Sequence, residues 1–218
     1  MGSRLHLLVY VVLLLTGCAS FQTAGDVQSG RQALLIRQPE QALPYFQRAA
    51  ARDPNYIFQS GLYREGIWTY VGRTQYTLGQ YPAARESLER ALSQYKDDYL
   101  AQLYLGLTMV RTGDERGVKE IEAGLKGLHD WLEYINASRP FQAFWDPLRQ
   151  IRSEIEKDLK MLSGKDVDST TLIASGEWVG HQMEDEIDRV RRDESEYYRR
   201  REYDSPGRGV GVGIGVGF

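Results

Sequence analysis

Two glycines set 34 residues apart, Gly72 and Gly106, constrain what this chain can fold into more than any other feature. Each is followed by a second glycine, Gly79 and Gly113, so a whole segment recurs and not a single residue. Around the first of them, Trp68, Val71, Tyr81, Leu88 and Ala91 alternate with the small residues Gly72 and Ala84. Small residues at that spacing let two antiparallel helices approach closely, and the larger ones fill the space around the contact. Gly79 ends the first helix and lets the chain turn. A hairpin of this kind cannot bury its apolar face alone, so the chain is expected to stack hairpins, each covering the next.

An earlier unit follows the same plan through Gly30, Ala42, Phe46 and Ala49, and closes at Asp53-Pro54. Gly30 to Gly72 spans 42 residues, so about eight extra residues are expected between these units, around Tyr56 to Tyr63. In the third unit Gly117 or Val118 takes the small position of the second helix, with Ile121, Leu125 and Leu128 as its apolar stripe. On these residues, positions 26–130 resemble the tetratricopeptide repeat (TPR) family. The resemblance implies an all-α, tetratricopeptide-like helical hairpin array (α-solenoid). It also implies that extended peptides or partner helices bind along a concave face lined by the first helix of each unit. Carried over, the groove positions are Arg31 in the first unit, Thr69, Tyr70, Arg73 and Tyr76 in the second, and Tyr104, Leu107 and Arg111 in the third. Arginine and tyrosine are favoured at interaction hot spots. Arg31 and Arg73 occupy equivalent places, which points to an acidic or C-terminal carboxylate group on the partner. Solvation, or pairing with the nearby Glu65 and Glu86, is the other reading of these arginines.

Helix formers dominate residues 26–163, and no long Val, Ile and Thr alternation precedes the extreme C-terminus, so the body reads all-α. Residues 131–163 carry Trp131, Tyr134, Ile135, Phe141, Phe144, Trp145 and Leu148, interrupted by Pro140 and Pro147. They are read as capping helices over the open end of the stack, an exposed aromatic ligand box being the alternative. A helix from Pro147 to about Met161 carries Leu148, Ile151, Ile155, Leu159 and Leu162 at helical spacing. After a break at Ser163–Asp166, residues 164–204 read as an exposed charged helix with a narrow seam of Val179, Met183, Ile187 and Val190. So thin a seam must pack on the array, on a second copy, or on a partner.

The chain offers little catalytic chemistry. Of 218 residues only three are histidine and one is cysteine, which leaves no disulfide and no cysteine-based metal cluster. His181, Glu184, Asp185 and Asp188 share one helix face, a geometry open to a divalent metal, but the reading is a solvated polar face with no metal. No nucleophilic triad or phosphate-binding glycine loop is recognisable, so no catalytic residue is assigned and an enzyme is not expected. With 27 Lys and Arg against 30 Asp and Glu, no nucleic-acid-binding surface is indicated.

The two ends speak of location. Arg4 precedes an apolar run from Leu5 to Leu15, too short to span a bilayer comfortably and typical of a secretory signal over residues 1–17. Leu15-Thr16-Gly17-Cys18 resembles the lipobox of bacterial lipoproteins, which implies a covalent lipid on Cys18 and a short linker over residues 18–25. The following Ala19 and Ser20 include no aspartate, so the resemblance further implies the outer membrane, periplasmic face. Residues 205–218 end in alternating glycine and apolar residues, with Val210, Val212, Ile214, Val216 and Phe218 on one face of any strand they form. Such a tail resembles the last strand of an outer-membrane barrel and is expected to add to a sheet edge or barrel rim. A disordered tail with no partner is the other reading.

The expectation is therefore an outer-membrane-anchored periplasmic lipoprotein, a TPR interaction scaffold for envelope proteins or extended peptides in envelope assembly, secretion or export. The alternative is a periplasmic small-molecule-binding component of a transporter, which needs a closed, aromatic-lined cavity near Trp68, Trp131 and Trp145.

Overall fold

The computed structural model describes residues 21–138, 145–164 and 167–203. The lipidation site Cys18, the aromatics Phe141 and Phe144, and the tail positions Val210, Val212, Ile214, Val216 and Phe218 lie outside the described residues.

Helix α1 covers residues 21–35 and is followed by α2 (Pro39–Arg52), α3 (Ile67–Thr77), α4 (Tyr81–Gln94), α5 (Tyr99–Arg111) and α6 (Gly117–Ser138). These pack as three successive helix pairs, with α2 on α3 and α4 on α5 joining one pair to the next. The turn inside each pair uses a left-handed residue, Arg37 (φ 60°), Gly79 (φ 72°) and Gly113 (φ 81°). In all three the next amide reaches back across the turn, Gln38 N to Ala33 O, Gln80 N to Gln75 O and Asp114 N to Met109 O, each at 2.9 Å. That is the Schellman-type closure, which satisfies carbonyls a helix end leaves orphaned.

Close approach inside each pair depends on the glycines. A Cβ at Gly106 would lie 2.5 Å from the Ile121 amide nitrogen and 2.6 Å from the Gly117 carbonyl oxygen. Gly117, and not Val118, is thus the small residue of that second helix. At Gly72 the neighbours are Leu88 and the Ala84 carbonyl, and at Gly30 the Phe46 ring. Phe46, Leu88, Leu103, Leu107, Ile121, Leu125 and Leu128 are fully buried between the pairs.

The all-α expectation needs one correction. Between the first two pairs stands a two-stranded antiparallel hairpin, β1 (Ile57–Ser60) and β2 (Tyr63–Gly66), with Phe58 opposite Glu65 and Ser60 opposite Tyr63. It accounts for the extra residues in the 42-residue spacing. Gly61 (φ 58°) supplies the left-handed residue that a two-residue hairpin turn needs at its first position. Phe58, Ser60, Tyr63 and Glu65 face inward and alternate with exposed neighbours. Four residues per strand are too few to give a sequence-level alternation signal.

Helix α7 (Gln150–Leu162) packs on α6, and α8 (Ser169–Tyr203) packs on α5 and α7. Asp146 starts α7 by accepting the Ile151 and Arg152 amides at 3.1 and 3.0 Å. Trp131, Trp145 and Tyr63 form a three-ring cluster with centroids 4.8–5.6 Å apart, sealing the hairpin against α6. Tyr134 and Leu148 point into solvent.

Candidate functional site

Helices α1, α3 and α5, the first of each pair, all meet α8. The seam Val179, Met183, Ile187 and Val190 is buried to within 1 % of full coverage, and Leu172 extends it. Two glycines let α8 come close. A Cβ at Gly180 would meet the Tyr104 hydroxyl at 2.4 Å, and one at Gly176 would meet Leu107 at 3.0 Å. Each buried aliphatic side chain contributes about 2 kcal/mol, whereas the attraction within a buried ion pair is largely offset by the desolvation of its charges. The apolar seam therefore holds α8, and the charges set its register.

Those charges converge on Glu184. Arg31 donates through Nε to Glu184 Oε1 at 2.9 Å, and its Nη2 lies 2.8 Å from the same oxygen. Arg73 reaches Glu184 Oε2 at 3.5 Å, the Gly180 carbonyl at 3.4 Å and Glu65 Oε1 of β2 at 2.5 Å. Tyr63 donates its hydroxyl to the other oxygen of Glu65 at 3.1 Å. Arg31 also lies over the Phe58 ring, 4.2 Å from its centroid, and Arg73 lies near the Tyr104 ring at 5.3 Å. All four charged residues are at most 4 % exposed. Burial pushes the Glu65 carboxyl up to about 7, against the opposing pull of Arg73. Burial also works against the charge on Arg73, but Glu65 and the surrounding groups hold its pKa well above the ordinary value.

The sequence-expected groove residues fall into three sets. Arg31, Arg73, Tyr76, Tyr104, Leu107 and Arg111 all meet α8, the last through Arg111 Nη2 to Glu177 Oε1 at 2.7 Å. Tyr76 donates to the same oxygen at 2.6 Å, and burial followed by that bond raises its pKa. Tyr70 lies deeper, stacked on Phe46 with centroids 4.9 Å apart, its hydroxyl unpaired among the described residues. Thr69 faces the other way and donates to Asp98 Oδ2 at 2.7 Å, which ties α3 to the start of α5. Only Arg111 of the eight is exposed. The place the sequence reading gives to a partner is occupied by the chain's own C-terminal helix.

The glycine pair is the signal that the sequence carried for this. Gly176 and Gly180 cost about 1 kcal/mol each in a helix interior relative to alanine, and a close neighbour is the ordinary compensation. Glu65 enters the sequence reading only as a neighbour for the arginines, since its placement depends on the unforeseen hairpin.

The remaining polar groups are engaged among themselves. The carboxylates grouped with His181 are taken by arginines: Glu184 as above, Asp185 by Arg37 at 3.3 Å, and Asp188 by Arg192. Burial, then Arg37 and Arg73, lower the His181 pKa. A different trio, His129, Glu133 and Glu156, brings its ligand atoms within 4.8 Å of one another. There Arg149 already binds both carboxylates at 2.9 Å, filling the electrostatic role of a cation. Trp68, Trp131 and Trp145 divide between two places. Trp68 donates to the Pro54 carbonyl at 2.9 Å and lies under Arg90, apart from the Trp131–Trp145 cluster. Among the described residues no helix is long and apolar enough to cross a membrane.

The tetratricopeptide repeat family pattern matches residues 72–115, which run from the middle of α3 through α4 and α5 to the following turn. No curated protein and no solved structure matches the chain. The chain therefore carries a short TPR-like repeat inside a helical array whose pairs pack as TPR hairpins do, a form suited to protein–protein contact.

Proposed function

We propose that the chain is a lipid-anchored adaptor of the bacterial envelope whose concave groove is the seat of its own C-terminal helix, with partner contacts made by the surfaces around that seat and by residues 205–218. The observation that carries this reading is Glu184 held by both Arg31 and Arg73. Helix α8 supplies the carboxylate and the apolar seam that a groove of this type otherwise takes from a partner. A partner using Arg73 or Tyr104 must first expose Val179, Met183, Ile187 and Val190, a cost of several kcal/mol. The exposed residues of α8 beyond Val190 incur no such cost. The lipid on Cys18, the outer-membrane address and strand addition by Val210, Val212, Ile214, Val216 and Phe218 rest on the sequence patterns alone.

Site-specific photocrosslinking in native envelopes tests the proposal. A probe at Ser195 or Val212 is expected to trap an envelope protein, whereas a probe at Tyr104 or Leu107 gives products only within the chain. Intermolecular products from Tyr104 or Leu107, with none formed within the chain, would overturn it. Deleting residues 205–218 without changing the trapped proteins removes the tail from the reading.

A further inference from the structure

Helices α1 and α8 run antiparallel. An earlier position on α1 meets a later one on α8: Arg31 meets Glu184, whereas Gln28 meets Arg191 at 2.9 Å, and Arg37 reaches Asp185 beside Glu184. Phe21 lies as many residues before Gln28 as Tyr198 lies after Arg191. Each is therefore carried about 10 Å further along its helix, toward the same end of the molecule. Both are solvent-facing, Phe21 at 83 % and Tyr198 at 57 % exposure.

The same end is rich in exposed guanidinium. Arg191, Arg192, Arg199 and Arg200 are exposed on α8. Arg191 is bonded to the neutral Gln28, Arg192 is paired with Asp188, and among the described residues Arg200 makes a loose contact with Glu196 at 3.7 Å. At the adjoining end of α2, Arg48 and Arg52 share a single carboxylate, Asp26. The other acids of this stretch of α8 are turned elsewhere, Asp193 to Arg189 and Glu194 to the Gly61 turn. Exposed aromatics interspersed with arginine are the side chains that settle at a bilayer surface carrying anionic headgroups.

The geometry points to this end as a membrane-contacting platform: we infer that Phe21, Tyr198, Arg199 and Arg200 engage the anionic phospholipid headgroups of a bilayer. The orientation rests on the proposed lipid at Cys18, which precedes Phe21 by three residues and so by at most about 11 Å of chain. An anchor there brings this end of the molecule, and no other, to the surface. The array then stands with its hairpin turns away from the bilayer, and α8 ends at the headgroups, where the tail begins.

The test uses the complete mature chain from residue 18, with Cys18→Ser so that no acyl group contributes. Co-sedimentation is measured with phosphatidylglycerol–phosphatidylethanolamine vesicles and with phosphatidylcholine vesicles at about 0.1 M salt. About tenfold stronger partition into the anionic vesicles is expected, with most of it lost at high salt. Arg199→Glu with Arg200→Glu should abolish the preference, and Phe21→Ser with Tyr198→Ser should weaken binding to both surfaces. Thermal unfolding should stay unchanged, because all four side chains are exposed. Equal partition into both vesicles, no partition, or wild-type binding by the charge-reversed chain would overturn the inference. Fatty-acid labelling at Cys18 in cells is read separately. A negative result there removes the anchor and leaves the vesicle result standing, and the reverse also holds.

Discussion

Arg31 on α1 and Glu184 on α8, separated by 153 positions in the chain, form an ion pair at 2.8 Å with side chains only 1 % and 5 % exposed. Arg73 meets the same carboxylate from α3, so one residue of the last helix holds two of the three inner helices. Removing it leaves the Arg31 guanidinium buried without its carboxylate and Arg73 with Glu65 alone. Glu184→Ala should lower the unfolding free energy by about 3–5 kcal/mol in urea titration. Asp185→Ala breaks only the exposed pair with Arg37 and should cost under about 1 kcal/mol. Equal losses from the two variants would show that Glu184 is not a buried keystone.

Glu65 makes stability depend on pH. Its carboxyl is raised to about 7 in the folded chain from an ordinary value of 4.5. Between those values the folded chain holds a proton that the unfolded chain releases, so stability increases as pH falls from 8 toward 5. The gain is at most about 3 kcal/mol. Asp158, raised to about 6 by burial, acts in the same direction. The urea midpoint should therefore be higher at pH 5.5 than at pH 8. Glu65→Gln should flatten the slope of the midpoint against pH. A midpoint that falls on acidification over this range would contradict the account.

Two glycines separate backbone need from packing need. At Gly79 nothing lies within 4 Å of a Cβ, but φ is 72°, so Gly79→Ala should cost about 1–2 kcal/mol and leave α8 in place. At Gly180 the backbone is ordinary helix, and Tyr104 blocks the space. Gly180→Val should cost about 1–3 kcal/mol and speed limited proteolysis within residues 169–203. Cleavage confined to other segments would argue against the close fit of α8 on α5.

The legible parts of this molecule were those whose signals are local. The turn glycines and the apolar stripe of α6 are each written within one helix pair, the 34-residue period relates one pair to the next, and the structure places them as the pattern implies. The seam of α8 was legible as a face needing cover, but its seat was not, since nothing in residues 169–203 names α5 as neighbour except Gly176 and Gly180. The β1–β2 hairpin was hidden because its alternation lasts only four residues per strand. Glu65 was hidden with it, so the pairing of Arg73 with both Glu65 and Glu184 depends on the unforeseen hairpin just before α3 and on a helix whose carboxylate lies 111 positions further along the chain.

The central claim is that α8 occupies the concave face as a resident part of the fold, and native-state hydrogen exchange tests it most directly. Amides of residues 172–190 should exchange only with global unfolding, at the same free energy as those of α3 and α5, while residues 191–203 exchange faster. Exchange of residues 172–190 at the rate of an isolated helix, with α3 and α5 still protected, would show that the groove stands open and contradict the account.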